Sequence, residues 1–200
     1  MTTINTDRII GFFAPSRYGK TNAIASLIKS IPLPVVIYDT NKEWSTIPQL
    51  IDIVKSTKSK RVFVPDAGSE RDVEYLNEII SILRSKLTNF FLYVDDIEVF
   101  FNDQTSYKHF FGEIKDLSER GGHQRIGFIY SAKEFKYIPR PLISNANLMY
   151  VGQFIEDADL KMANRILKPH YRSENLKKPT FIKIDRWTGE KAEVVFDKVF

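Results

Sequence analysis

A chain of 200 residues with 43% hydrophobic and 27% charged content is globular rather than disordered, and is long enough to bury a substantial core. It has no cysteine, which excludes disulfides and thiolate metal sites, and its formal net charge of +4 permits a nucleic-acid partner without requiring one. No stretch approaches the roughly 20 apolar residues of a membrane span, so one soluble, intracellular domain over residues 1–200 with no membrane span is expected.

RIIGFFA, from Arg8 to Ala14, predicts a first strand. A helix follows over 21–31, with Ile24, Leu27, Ile28 and Ile31 at i, i+3, i+4 and i+7. PVVIYD (34–39) and RVFVPD (61–66) predict the second and third strands. Residues 70–87 predict an amphipathic helix whose stripe is Val73, Leu76, Ile80, Leu83 and Leu87. FFLYVDD (90–96) reads as a fourth strand, YKHFFGEIKDLSER (107–120) as a helix, and RIGFIYSA (125–132) as a fifth strand. ANLMYVGQF (146–154) gives a sixth strand and DADLKMANRIL (157–167) a short helix. TFIKIDR and KAEVVF, joined by WTGE, form a closing hairpin. Continuous apolar strands suit a parallel sheet covered on both faces. The expected fold is therefore α/β, a mostly parallel sheet flanked by helices with a C-terminal antiparallel hairpin.

Between the first strand and the first helix lies APSRYGKT, residues 14–21. It departs from the phosphate-loop pattern G-x-x-x-x-G-K-[ST] only at Ala14. The G-K-[ST] tripeptide arises by chance in about one chain in ten of this length, but its strand–loop–helix setting is the one a phosphate loop needs. The candidate nucleotide cradle is Pro15, Ser16, Arg17, Tyr18, Gly19, Lys20, Thr21 and Asn22. Lys20 would reach the β- and γ-phosphates, and the Thr21 hydroxyl would ligate Mg²⁺. Ala14 costs little if its φ is negative at the strand end. The bulky Arg17 and Tyr18 must turn away from the phosphates, unless Arg17 adds a charge-assisted contact.

The fourth strand ends in Asp95-Asp96, about 75 residues downstream. C-terminal strand ends of a parallel sheet face the ligand crevice. Asp95 is assigned to the magnesium shell and Asp96 to the catalytic base that prepares water, with Glu98 as the alternative base. TNKEW is not the N-K-x-D base-reading motif of GTPases, because Trp44 stands where Asp should be and the segment precedes the acidic strand. A small-molecule kinase usually carries an arginine-rich lid; KEFKYIPRP after the fifth strand has only Arg140.

Four segments in this order, the phosphate loop, IYDTNKEW, YVDD and RIGFIYSAKE, resemble the FtsK–HerA branch of RecA-like P-loop NTPases. The second resembles that branch's D-x-x-x-E-[YW] signature, here Asp39, Glu43 and Trp44. The fourth resembles its sensor strand, with Ser131 and Lys133 where a polar residue such as Gln is usual. The chain departs from the branch in carrying Asp-Asp in place of Asp-Glu. Its small size resembles the genome-packaging NTPases of turreted icosahedral viruses. The resemblance implies ATP and Mg²⁺ as cofactors and a DNA-translocating, Mg-dependent ATPase as the activity. It implies a homo-oligomeric ring, double-stranded DNA held through its backbone, a viral capsid or portal vertex component as partner, and the host cell cytoplasm or virion as location. It further implies an arginine acting on the neighbouring subunit's site, with Arg120 preferred over Arg125. Lys108, Lys133, Lys136 and Arg140, interleaved with Phe135 and Tyr137, are candidate DNA contacts. His109, His123 and His170 lack ligand-like spacing. The alternative function is a regulatory or scaffold P-loop ATPase without translocation.

Overall fold

A computed structural model of the chain describes residues 6–56, 60–63, 73–101, 112–120 and 124–199. Strand β1 (Ile9–Phe13) leads through a loop into α1 (Lys20–Ser30), then β2 (Val35–Tyr38), α2 (Glu43–Thr46), α3 (Pro48–Lys55) and β3 (Lys60–Phe63). Helix α4 (Val73–Lys86) precedes β4 (Phe90–Val94), which runs into a 3-10 turn (Ile97–Phe100). After α5 (Gly112–Arg120) come β5 (Ile126–Ala132), α6 (Arg140–Asn145), β6 (Leu148–Val151), α7 (Asp157–Leu167), β7 (Phe181–Asp185) and β8 (Lys191–Val194).

The strands form one sheet in the order β3-β2-β4-β5-β1-β6-β7-β8. The pairings from β3 across to β6 are parallel, and β7 and β8 close the edge as an antiparallel hairpin. This is the expected α/β architecture. Side chains alternate between two buried faces. Ile9, Phe13, Leu92, Phe128 and Tyr130 point to one core with Leu76 and Ile80 of α4, Leu117 of α5, Leu142 of α6 and Leu167 of α7. Ile10, Phe12, Ile37, Phe91 and Ile129 point to the other, with Ile24 and Ile28 of α1 and Leu50 and Ile53 of α3. Both faces are dry, so the strands read as unbroken apolar runs rather than alternating ones.

The sequence reading did not anticipate α2, α3, α6 or the 3-10 turn. Each is eight residues or fewer, too short to establish a 3.6-residue period. The expected helix starts at 70–72 and 107–111, the strand end at 64–66, and Lys108, His109 and His123 lie outside the described residues. No described helix is long and apolar enough to cross a membrane.

For function, the strand order matters most. The loop-bearing strand β1 and the acidic strand β4 are not neighbours, because β5 pairs with both of them. The C-terminal end of β5 therefore sits between the phosphate loop and the carboxylates.

Candidate nucleotide site

The loop between β1 and α1 turns through positive φ at Arg17 (59°) and Gly19 (107°), and not at Ala14. Gly19 accepts this geometry because it lacks a Cβ. Ala14 continues the strand: it is fully buried, and its N–H donates to the Ala132 carbonyl at 3.2 Å. Gly152, just past β6, makes room for it. A Cβ there would lie 2.8 Å from the Ala14 Cβ and 2.6 Å from the Tyr18 ring. The first-position alanine is thus accommodated by backbone geometry and by a glycine opposite.

The residues of the loop divide by where their side chains go. Tyr18 turns into the core, donating its hydroxyl to the Thr180 carbonyl at 2.7 Å and meeting Phe181 edge-on. Only its backbone can face a ligand, and its N–H donates to the Pro15 carbonyl at 3.3 Å. Ser16 and Arg17 stay exposed at the mouth of the site. Asn22 is engaged by the C-terminal segment, donating to the Asp197 carbonyl at 2.9 Å and accepting the Val199 N–H at 2.6 Å. Lys20 is buried, and its ammonium donates to the carbonyls of Ala14 at 2.7 Å and Pro15 at 3.2 Å. Burial pulls its pKa down, and Asp96 and Glu98 oppose that pull.

The two strand-end carboxylates are held differently. Asp95 Oδ1 accepts the Tyr93 hydroxyl at 2.6 Å and the Ser131 hydroxyl at 2.9 Å, while its Oδ2 accepts the Asn41 amide at 3.1 Å. Burial and the neighbouring Asp96 push its carboxyl up to about 7. Asp96 leaves the strand in a left-handed conformation, φ 42°, which Asp tolerates better than most residues. Its N–H donates to Ser131 Oγ at 2.8 Å, and its Oδ2 receives the Asn41 amide and the Lys133 ammonium, each at 2.5 Å. Glu98, on the 3-10 turn, accepts the Lys133 N–H at 3.0 Å, leaves its second oxygen buried without a partner, and is pushed up to about 7 by burial and Asp96.

Ser131 and Lys133, both named from the fifth strand, therefore have separate roles. Ser131 ties Asp95 to Asp96 from below. Lys133 reaches Asp96 with its side chain and Glu98 with its backbone.

The Asp39–Trp44 signature also divides. Asp39 is buried and accepts the Ser45 N–H at 2.9 Å, and Trp44 is buried edge-on against Tyr93 at 5.7 Å. These two hold the short turn that carries Asn41 and Glu43 into the site. Glu43 Oε2 accepts the Thr21 hydroxyl at 2.9 Å. Sequence reasoning gave Glu43 no function and did not single out Asn41. The only signal was their position inside YDTNKEW.

Lys20, Thr21, Asn41, Glu43, Asp95, Asp96 and Lys133 thus open on one cavity of about 440 Å³. Thr21 supplies a hydroxyl and Asp95 and Glu43 supply carboxylates, all oxygen donors of the kind a hard divalent cation takes. Burial first, and the neighbouring Asp96 second, raise Asp95 and Glu98, and a bound cation would offset both. The residues present therefore fit Mg²⁺.

Other sequence candidates lie elsewhere. Arg120 ends α5, the connection from β4 back to the start of the parallel strand β5. It is exposed, as is Arg125 just before β5, and both lie at the start of β5, the end of the parallel strands away from the phosphate loop. Phe135 is a core residue, stacked on Phe13 at 4.4 Å, so it does not face a DNA channel. Lys136 and Arg140 are exposed, Lys136 pairing with Glu134 at 2.6 Å; Tyr137 lies under the Lys136 ammonium, and His170 is at the surface.

No protein-family model matches the chain, and no curated protein sequence matches it. Solved structures do. The genome packaging NTPase B204 from Sulfolobus turreted icosahedral virus 2, solved in complex with ATPγS, superposes with a TM-score of 0.76 at 17% identity, covering 97% of this chain and 100% of that one. The DNA-packaging ATPase B204 from Sulfolobus turreted icosahedral virus gives 0.73 at 19% identity, with 97% and 100% covered. The cytoplasmic domain of the Thermomonospora curvata type VII secretion ATPase EccC gives 0.65 at 15% identity, covering 97% of this chain but 24% of that one. The resemblance read from the four segments is borne out at the level of fold: the chain has the P-loop ATPase fold shared by these packaging and secretion ATPases.

Proposed function

We propose that this chain is a Mg²⁺-dependent ATPase that assembles into a homo-oligomeric ring and translocates double-stranded DNA, packaging a viral genome into a capsid. The observation that carries the reading is the convergence of Lys20 and Thr21 with Asp95 and Asp96 on a single cavity. The two packaging ATPases are matched over their whole length, whereas EccC is matched over 24% of its own. That difference favours packaging over secretion.

In the proposed reaction, Lys20 exchanges the Ala14 and Pro15 carbonyls for β- and γ-phosphate oxygens. Thr21 and Asp95 would hold Mg²⁺, which when bound would supply Lewis-acid stabilisation of the charge that develops on the phosphoryl group. Asp96 takes the proton of the attacking water, with Glu98 as the second carboxylate near the reacting centre. Arg120, at the opposite end of the parallel strands from its own loop, serves the site of a neighbouring copy. The exposed Lys136 and Arg140 contact the DNA backbone without reading bases. A capsid or portal vertex component is the docking partner, in the host cytoplasm or the virion.

The test is ATP turnover by the assembled protein with and without saturating duplex DNA. Stimulation of several-fold is expected, and Lys20→Ala should abolish turnover while keeping its thermal unfolding. Turnover indifferent to DNA overturns the motor and leaves a regulatory or scaffold ATPase. Normal turnover in Lys20→Ala overturns the site itself.

A further inference from the structure

A groove of about 810 Å³ lies outside the nucleotide site, between α6, α7 and the turn that joins β7 to β8. Its floor is apolar, formed by Ile138, Ile143, Met162, Ile166 and Ile184. Its rim is basic. Arg140 and Arg165 are exposed there and form no ion pair among the described residues. Arg186 and Lys191 add positive charge while closing helix ends: Arg186 donates to the Ile143 carbonyl at 2.9 Å, and Lys191 to those of Ile166 and Leu167 at 3.1 Å. The one acid lining the groove, Asp185, is already held through both oxygens by Arg8 at 3.2 Å. A phosphate backbone could use the rim but not the floor. An apolar side chain flanked by carboxylates uses both, because it fills the floor while its acids meet the guanidinium groups.

The chain carries such a group itself. Ile155, just past β6, is 75% exposed, more than any other large apolar side chain among the described residues. Glu156 and Asp157 follow it at the start of α7, both exposed and without an ion pair among the described residues. Ile155 and Glu156 border a hollow of about 380 Å³ together with Ser16 and Lys133, so this acidic knob stands beside the phosphate loop. Knob and groove share no residue. We propose that Ile155, with Glu156 and Asp157, docks into the α6–α7 groove of a second copy of this chain, its side chain on the apolar floor and its two carboxylates on Arg140 and Arg165. Two different patches of one chain meet head-to-tail, the arrangement that closes into a ring when its rotation allows. The proposal rests on the ring reading above and deepens it by naming the interface. Helix α5 packs against α6, so seating the knob brings α5 of the second copy, with Arg120, towards the phosphate loop of the first. Arg140, given above to DNA, is here a contact between copies.

The experiment is a charge-reversal mixing test read by self-association. Sedimentation velocity over a concentration series, with Mg²⁺ and AMPPCP, gives the association of wild type, of Ile155→Asp, of a knob variant (Glu156→Arg with Asp157→Arg) and of a groove variant (Arg140→Glu with Arg165→Glu). Ile155→Asp should weaken association more than 10-fold, the scale set by burying one isoleucine side chain. The knob and groove variants should each fail to associate alone, since like charges then face each other at every contact. Mixed in equal amounts they should associate again, because an alternating assembly pairs reversed knob with reversed groove and native knob with native groove. Recovery on mixing also shows that both variants are folded. Undiminished association of Ile155→Asp, or no recovery on mixing, overturns the interface while leaving the ring itself standing. A groove variant that associates normally but no longer retains duplex DNA makes the groove a nucleic-acid surface and overturns the proposal as well. A wild type that stays monomeric throughout overturns the ring and this interface together.

Discussion

Ser131→Ala removes the hydroxyl that joins the two acids, and its cost can be worked from the contacts. Ser131 Oγ accepts the Asp96 N–H at 2.8 Å and donates to Asp95 Oδ1 at 2.9 Å, all within the buried interior. The alanine variant strands a buried N–H, worth about 1–3 kcal/mol, and takes from Asp95, whose carboxyl is pushed up to about 7, one hydrogen bond of about 0.5–1.5 kcal/mol. Tyr93 and Asn41 still bond Asp95, so the two losses are not fully additive and about 2–3 kcal/mol in total is expected. For a chain of 200 residues, with about 2–4 °C per kcal/mol, that lowers Tm by roughly 5–10 °C. Loss of the tether also lets the Asp96 backbone relax from its left-handed conformation, and a shift of that kind at a reacting group lowers turnover by about 10- to 100-fold. The assays are thermal unfolding and steady-state ATP turnover, with Ser118→Ala as control. Ser118 is equally buried, but its hydroxyl donates only to the Lys115 carbonyl of its own helix. If Ser131→Ala costs no more than Ser118→Ala and turns over ATP at the wild-type rate, the bridging role is wrong.

Three further outcomes are expected. Asp96→Asn should retain nucleotide binding and lose at least 100-fold in turnover; if Glu98→Gln is the inactive variant instead, the base assignment moves to Glu98. The carboxyls of Asp95 and Glu98 are pushed up to about 7 in the folded chain, against about 4 when unfolded. Between those values the folded chain holds protons that the unfolded chain has released, so these groups make stability fall as pH rises from about 4 to about 7 and then level off. The Tm of Asp95→Asn minus that of wild type should therefore grow across this window in nucleotide-free protein, and a flat or shrinking difference refutes the raised carboxyl. Mixing Arg120→Ala subunits with Lys20→Ala subunits should restore part of the lost turnover, because each variant leaves one half of a mixed interface whole; absence of any recovery argues against Arg120 acting on its neighbour.

Long elements were legible because their physics is local. The stripe Val73, Leu76, Ile80 and the run FFLYV show their period or their continuous burial within a few residues, and both sit where the sequence puts them. Short elements were not. Helix α2 has four residues and is held by Asp39 and the buried Trp44 rather than by propensity, so nothing in its own text announces it. The site was legible in its two poles, Lys20-Thr21 and Asp95-Asp96, because each follows an apolar strand. Phe135 misled for a related reason: its basic neighbours suggest a solvent-facing loop, whereas its ring stacks on Phe13 across the core.

The sequence alone determines that a phosphate loop and an acidic strand end exist, since each is a local pattern of residue types on a strand terminus. It also determines that the sheet is mostly parallel, since both faces of its central strands are apolar. Only the tertiary structure decides what lies between the two poles. Strand β5 pairs with both β1 and β4, and this insertion brings Ser131 under the acid pair and Lys133 across Asp96, contacts 35 to 37 residues apart along the chain. Strand order is set by the packing of the whole sheet and not by any segment of it. No reading of RIGFIYSAKE by itself could tell a surface lysine from one poised over the phosphate cavity.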